Sequence, residues 1–213
     1  MKDYKIFLCL MFVSFIIGKI GKCEIKNMYK YNDIPIYIKD GKTWESDFFP
    51  IEEFKFYKLT FLSKSNTKNY WAILFFDNEK NQLLADNYSS FFPSEDWTEN
   101  EFYFRGKCKA KFGKLIFRPI KNENEFYIKE IEISEATEND VLKYTEKLAT
   151  EIPPIEKFEI TKNFIPKTIK KLMNGEKIRM VLLGDSIMND IGNSFFDVLL
   201  KRRYPESKIE IIT

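Results

Sequence analysis

The 213-residue chain contains no histidine, only 3 cysteines, and no more than 8 glycines and 8 prolines. Without imidazole it lacks the commonest general base for a serine nucleophile and the commonest ligand for zinc. Cys9 and Cys23 fall within or at the edge of a leader segment, which leaves Cys108 alone. One thiol forms no intrachain disulfide and no zinc site, so neither a metal nor a cofactor is expected, and Cys108 reads as a small buried residue. An excess of charge of one sign is missing too, since 34 Lys and Arg stand against 32 Asp and Glu. Residues 1–23 carry Lys2, Lys5, Lys19 and Lys22 against Asp3, so the remainder holds 30 basic and 31 acidic side chains. That balance excludes nucleic acid as a partner, which demands a basic domain or face. The run Lys201-Arg202-Arg203 reads instead as the favourable cationic end of a helix.

What is present begins with an export signature. Lys2 and Lys5 precede an uncharged run from Ile6 to Gly18, the length of a secretory core and short for a bilayer span. A signal peptide over 1–23, cleaved after Cys23 with Gly21 and Cys23 at the third and first positions before the cut, predicts a secreted, periplasmic or cell-surface protein. No stable membrane span is expected once it is removed. A retained anchor and a lipid-modified Cys23 are the alternatives.

Twenty-one Phe and 11 Tyr favour aromatic-rich strands over a helical bundle. Short apolar runs recur at 34–38, 54–62, 69–77, 101–106, 114–119 and 125–133, separated by turn-forming stretches such as 64–69 and 77–82. Phe54 with Phe56, and Ile131 with Ile133, alternate as half-buried strands do, while Trp71–Phe76 is apolar throughout and should be covered on both faces. So many strands with no helix between them predict an all-β sandwich or jelly roll over 24–136. A helical linker over 137–164 follows, with Thr137 as a cap, Pro153 and Pro154 as a stop, and strand character at 155–164. Residues 165–175 read as a short helix ended by Gly175.

The last segment is the most orderly: a buried-strand run at 177–183, a Gly-Asp-Ser-Ile turn, a helix over 191–203 and a second strand at 208–212. Phe195, Val198, Leu199 and Arg202 share one face of that helix. This is a β-α-β unit, the seed of a parallel sheet. Ser186 falls at the carboxyl end of its first strand, where ligands bind in open α/β sheets and where backbone N–H groups at a helix start face developing negative charge. Asp185 has a second reading as the residue that fixes the sharp strand-to-helix corner. Asn189 and Asp190 either cap the helix or touch substrate.

The stretch VLLGDSIMND (181–190) resembles the first sequence block of the SGNH/GDSL hydrolases, serine esterases and lipases with a flavodoxin-like fold. It is similar in particular to exported bacterial members with Asn-Asp two residues after GDSI. The resemblance implies that Ser186 is the nucleophile and that its amide is an oxyanion donor. It covers about residues 165–213, so the fold class expected is multi-domain: a sandwich followed by the first β-α-β unit of a flavodoxin-like hydrolase domain. The family's later oxyanion donors, a Gly and an Asn, and its Asp-x-x-His pair have no counterpart, which leads to the expectation of a truncated hydrolase. The alternative is a complete protein in which the β-α-β unit packs on the sandwich.

The sandwich, in its strand order, resembles galactose-binding-like carbohydrate-binding modules. That implies sugar stacking on exposed aromatic rings, with Trp44 and Trp97, both in polar surroundings, as candidates. Trp71, inside an apolar strand, reads as core. The function expected is an exported serine esterase deacylating a carbohydrate, with a polysaccharide or acylated carbohydrate as partner. The alternative is a surface or secreted glycan-binding protein with a non-catalytic hydrolase remnant.

Overall fold

The computed structural model describes residues 27–31, 34–151, 165–182 and 193–212. Ten antiparallel strands come first: β1 (Asn27–Tyr31), β2 (Ile36–Ile38), β3 (Trp44–Glu45), β4 (Phe49–Pro50), β5 (Phe56–Ser65), β6 (Asn69–Phe76), β7 (Gln82–Phe91), β8 (Ser94–Arg105), β9 (Phe112–Pro119) and β10 (Phe126–Ala136). They form two sheets. In sheet A, β1 and β2 pair in succession along one edge of β10, followed by β5 and β8. In sheet B, β3 and β4 share the edge of β9, followed by β6 and β7. The result is a β-sandwich of jelly-roll type, with β8 and β7 as the outermost strands on one side.

Alternation along the strands builds the core. Tyr57, Leu59 and Phe61 of β5 point inward and are fully buried against Trp71, Ile73 and Phe75 of β6 and Phe117 of β9. The inward phase of β5 is therefore the odd-numbered set. Phe54 and Phe56, expected to alternate into the core, do not: Phe54 is half exposed in the turn before the strand at φ 62°, and Phe56 lies on the outer face. A close backbone approach explains that turn, because Phe54 donates to Gly106 O at 2.8 Å and Gly106 donates to Lys55 O at 2.9 Å. A Cβ on Gly106 would sit 2.1 Å from Glu52 O, so only glycine fits. The apolar run of β6 is covered on both faces as expected, with Leu74 half-buried and Phe48 packed edge-on against Phe76 at 4.9 Å.

Helix α1 (Glu138–Glu151) leaves the sandwich through a reciprocal cap. The Thr137 hydroxyl accepts from the Asp140 N–H at 3.2 Å, while the Asp140 carboxylate accepts from the Thr137 N–H at 2.9 Å. Expected as linker, α1 is instead packed, with Val141 fully buried against Phe195 and Val198 and flanked by Phe56 and Tyr103. The stop at Pro153 and Pro154 and the strand character at 155–164 lie outside the described residues. Helix α2 (Pro166–Met173) runs to Gly175, whose φ of 71° is the left-handed stop predicted for it.

Strand β11 (Lys177–Val181) and strand β12 (Lys208–Ile212) then pair in parallel, in register from Lys177 with Lys208 to Val181 with Ile212. Helix α3 (Phe196–Arg203) lies between them in sequence. Of the face expected on that helix, Phe195 and Val198 are buried, Arg202 pairs with Glu146, and Leu199 is exposed. Two parallel strands with this helix between them are what the described residues hold of an α/β unit. It docks on the sandwich through α1 and Phe195.

Candidate functional site

The outer face of sheet A carries exposed rings and charges side by side. Along β8 the outward residues are Trp97, Glu99, Glu101 and Tyr103, because Phe102 and Phe104 point inward. Leu62 of β5 pairs with Glu99 on one side and Lys129 of β10 on the other, and Thr60 lies between Glu101 and Glu132. Lys30 of β1 faces Glu132 across the next pairing. Between Lys129 and Glu132 the register slips by a β-bulge at Glu130, whose φ of 52° is left-handed. Bulges bend a strand and re-aim its side chains. Here the bend accompanies an open groove of about 400 Å³, lined by Lys30, Thr60, Leu62, Glu99, Glu130 and Glu132 among others.

Aromatic rings flank the groove. Trp97, two residues from Glu99 on the same strand face, is 38% exposed and carries the Lys129 ammonium 4.7 Å from its ring centre. At the same end of the sheet as Trp97, two residues before Lys129 on β10, Tyr127 stacks on Tyr37 at 4.6 Å, each about two-fifths exposed. The Tyr37 hydroxyl donates to Glu125, and that hydrogen bond to a carboxylate pushes its pKa up to about 12. Lys58 and Glu101 pair at 2.5 Å; burial alone lowers the lysine pKa, but the carboxylate outweighs it and holds the lysine above its usual value. Carboxylates accept hydrogen bonds from hydroxyl groups, ammonium groups donate to ring and hydroxyl oxygens, and an aromatic face receives the C–H side of a saturated ring.

A second cluster joins the sandwich to the C-terminal unit. Arg105, at the end of β8, donates two bonds to the Asp197 carboxylate at 2.8 and 2.9 Å, with both side chains about nine-tenths buried. Its guanidinium lies 4.6 Å from the Phe56 ring centre and 5.8 Å from that of Phe195. Lys107 donates to the Asn193 side chain, which donates in turn to Asp86 O at 3.2 Å. Sequence reasoning missed this cluster, since its partners stand 86 to 107 positions apart.

The remaining candidates take the following places. Asp185, Ser186, Asn189 and Asp190 lie outside the described residues, between Leu182, which follows β11, and Asn193. Trp44 is a strand residue in β3, half-buried edge-on to Tyr31 at 5.7 Å and 5.8 Å from Phe117, so its ring packs against the interior. Trp97 is likewise in a strand, and its ring stands on the sheet's outer face. Trp71 is core, as read. Cys108, expected to be buried, is exposed: it sits in the turn closed by Ala110 N–H to Lys107 O at 3.1 Å, where the strand ladder no longer covers it. Among the described residues no group of three His, Cys, Asp or Glu could hold a metal, and no helix is long and apolar enough to cross a membrane.

No protein-family model matches this sequence, and no curated protein matches it either. Solved structures that resemble it include the enzymatically active domain of tailspike protein 4 of bacteriophage CBA120, at 12% identity and a TM-score of 0.42, covering 53% of this chain. This chain spans 18% of that protein's length. A family 11 carbohydrate-binding module of a Clostridium thermocellum cellulosomal cellulase is similar at 13% identity and a TM-score of 0.37, over 53% of this chain and 95% of the module. A carbohydrate-binding module of a Cellvibrio mixtus lichenase, solved with cellotriose, is similar at 10% identity and a TM-score of 0.35, over 54% of this chain and 89% of the module.

Proposed function

We propose that this protein is exported and recognises a polysaccharide strand on the outer face of sheet A. The observation that carries the reading is the groove itself, in which three carboxylates and Lys30 line the floor and Trp97 flanks it. Such a surface suits a ligand with apolar ring faces and many hydroxyl groups. Affinity electrophoresis through gels containing plant and microbial polysaccharides tests it. Retardation on at least one glycan is expected, and Trp97→Ala should abolish it while Trp44→Ala, whose ring packs inward, should leave it. A chain that migrates freely on every glycan contradicts the reading.

A second reading adds ester hydrolysis at Ser186, favoured by the parallel pairing of β11 and β12, which brings a strand to its carboxyl end just before Gly184-Asp185-Ser186. On this reading Ser186 attacks the acyl carbon and its amide supports the oxyanion, Asp185 fixes the corner, and Asn189 and Asp190 cap the helix or contact the carbohydrate. General-base assistance is worth about 10² to 10⁴ in rate, and the 213 residues contain no imidazole to give it. Little turnover of p-nitrophenyl acetate is therefore expected until imidazole is supplied in the buffer. The rate should then rise above that of Ser186→Ala; equal rates at every imidazole concentration contradict the reading.

A further inference from the structure

The groove on the outer face of sheet A is longer across the strands than along them. Its lining takes Glu99 from β8, Thr60 and Leu62 from β5, Glu130 and Glu132 from β10, and Lys30 from β1. Four neighbouring strands span about 14 Å, whereas no strand supplies more than three consecutive positions, a length of about 7 Å. The long axis therefore crosses the strands.

A row of side chains runs beside the groove in the same direction. Lys64 of β5, which is exposed, is the register partner of Tyr127 of β10, and Tyr127 is the partner of Tyr37 of β2. On its other side Lys64 faces the bulged stretch of β8 that ends at Trp97, since Ser63 pairs with Thr98 and Ser65 with Ser94. Trp97, Lys64, Tyr127 and Tyr37 thus follow one another from β8 at one edge of sheet A to β2 at the opposite edge. The strands that carry Trp97 and Tyr127 are two spacings, about 10 Å, apart. The rings of Tyr37 and Tyr127 lie within 17° of parallel, and the Tyr37 hydroxyl is held by Glu125. Rings already fixed in this way lose little freedom when a ligand stacks on them.

The path along the strands is blocked at one end. Tyr103, two residues beyond Glu101 on β8, meets Tyr144 of α1 at 4.8 Å, and Phe56 at the start of β5 meets Phe195 at 5.9 Å. Both ends of the cross-strand path are sheet edges.

We infer that the polysaccharide crosses sheet A from edge to edge as an internal stretch of an extended chain, with Trp97 stacking on one ring and the Tyr127–Tyr37 pair forming a second stacking subsite. That the ligand is a glycan rests on the reading above; its direction, the second subsite and the class, linear chains of several rings instead of single sugars, go beyond it.

The test starts from a polysaccharide that retards the unsubstituted chain. Tyr37→Val and Tyr127→Val keep a strand-forming residue in place and should weaken retardation by about two- to tenfold with the far-UV spectrum unchanged. Retardation equal to that of the unsubstituted chain overturns the second subsite. A further measurement needs no substitution: hexamers of the same polysaccharide, with a nitroxide at the reducing end, are titrated into the ¹⁵N-labelled full chain. Amide broadening is expected at one edge, at Ile36–Ile38 or at Trp97–Thr98. Broadening around Lys58 and Tyr103 means that the chain follows the strands, and it overturns the inference, as does a monosaccharide that competes as well as the hexamer. Failure of the groove reading looks different: no polysaccharide retards the unsubstituted chain, and the inference falls with it. Retardation that persists while the variants or the nitroxide behave otherwise removes the inference alone.

Discussion

Arg105 and Asp197 show what a single pair of residues does in this molecule. Taking both charges out of water is costly, and the two hydrogen bonds from Arg105 Nη2 to the two carboxylate oxygens offset that cost only while both partners are present. Asp197→Ala leaves a guanidinium buried between Phe56 and Phe195, and a loss of about 3 kcal/mol is expected in urea unfolding. Arg105→Met combined with Asp197→Leu should recover most of it, since well-packed apolar substitutes often match a buried ion pair. Strictly additive losses in the double variant would show that the pair is not coupled. None of this was legible in the sequence: EFYFRG (101–106) reads as the end of a strand, and no local pattern announces a partner 92 positions away. Trp71 was legible as core because its neighbours are apolar, whereas Cys108 was misread because residue type alone does not reveal a turn.

Strands and helices were legible where their signals were strong. The apolar runs gave β5, β6, β9 and β10 within a few residues, and the parallel pair β11 and β12 fell where expected. β1 and the second half of β7 were not anticipated, because they are polar. In NYSS of β7 the inward residues are the small polar Asn87 and Ser89, and SEDWTENE in β8 lies on an exposed edge, so neither shows a buried stripe. The α1 cap was readable from Thr137 with an acid three residues later. Thr137→Ala should cost about 1 kcal/mol. The hydrogen bonds from the Thr137 side chain and backbone hold the Asp140 pKa below the usual carboxylate value. A lowered folded-state pKa gives stability that is fully present above the unfolded value of about 3.9 and is lost as pH falls through the folded one. Asp140→Asn should therefore flatten that part of the acid slope in urea midpoints measured from pH 6 downward, and an unchanged slope would remove the cap from the account.

At the scale of the whole molecule, sandwich and C-terminal unit are held together by several kinds of contact. Tyr103 meets Tyr144 at 4.8 Å, Phe56 meets Phe195 at 5.9 Å, and Lys201 pairs with Glu138 at 3.1 Å. The docked unit covers the Phe56–Tyr103–Arg105 end of sheet A and leaves the face around Trp97 and Glu99 open. Amide chemical-shift mapping on the ¹⁵N-labelled full chain tests the proposed recognition of a polysaccharide on this face. Oligosaccharides of the polysaccharides that retard the protein, or cello-, xylo-, manno- and galacto-oligomers in turn, are titrated in. Perturbations are predicted along Lys58–Lys64, Trp97–Glu101 and Tyr127–Glu132, the strands that form the groove. Shifts confined to sheet B, or none with any of the oligomers, would contradict it.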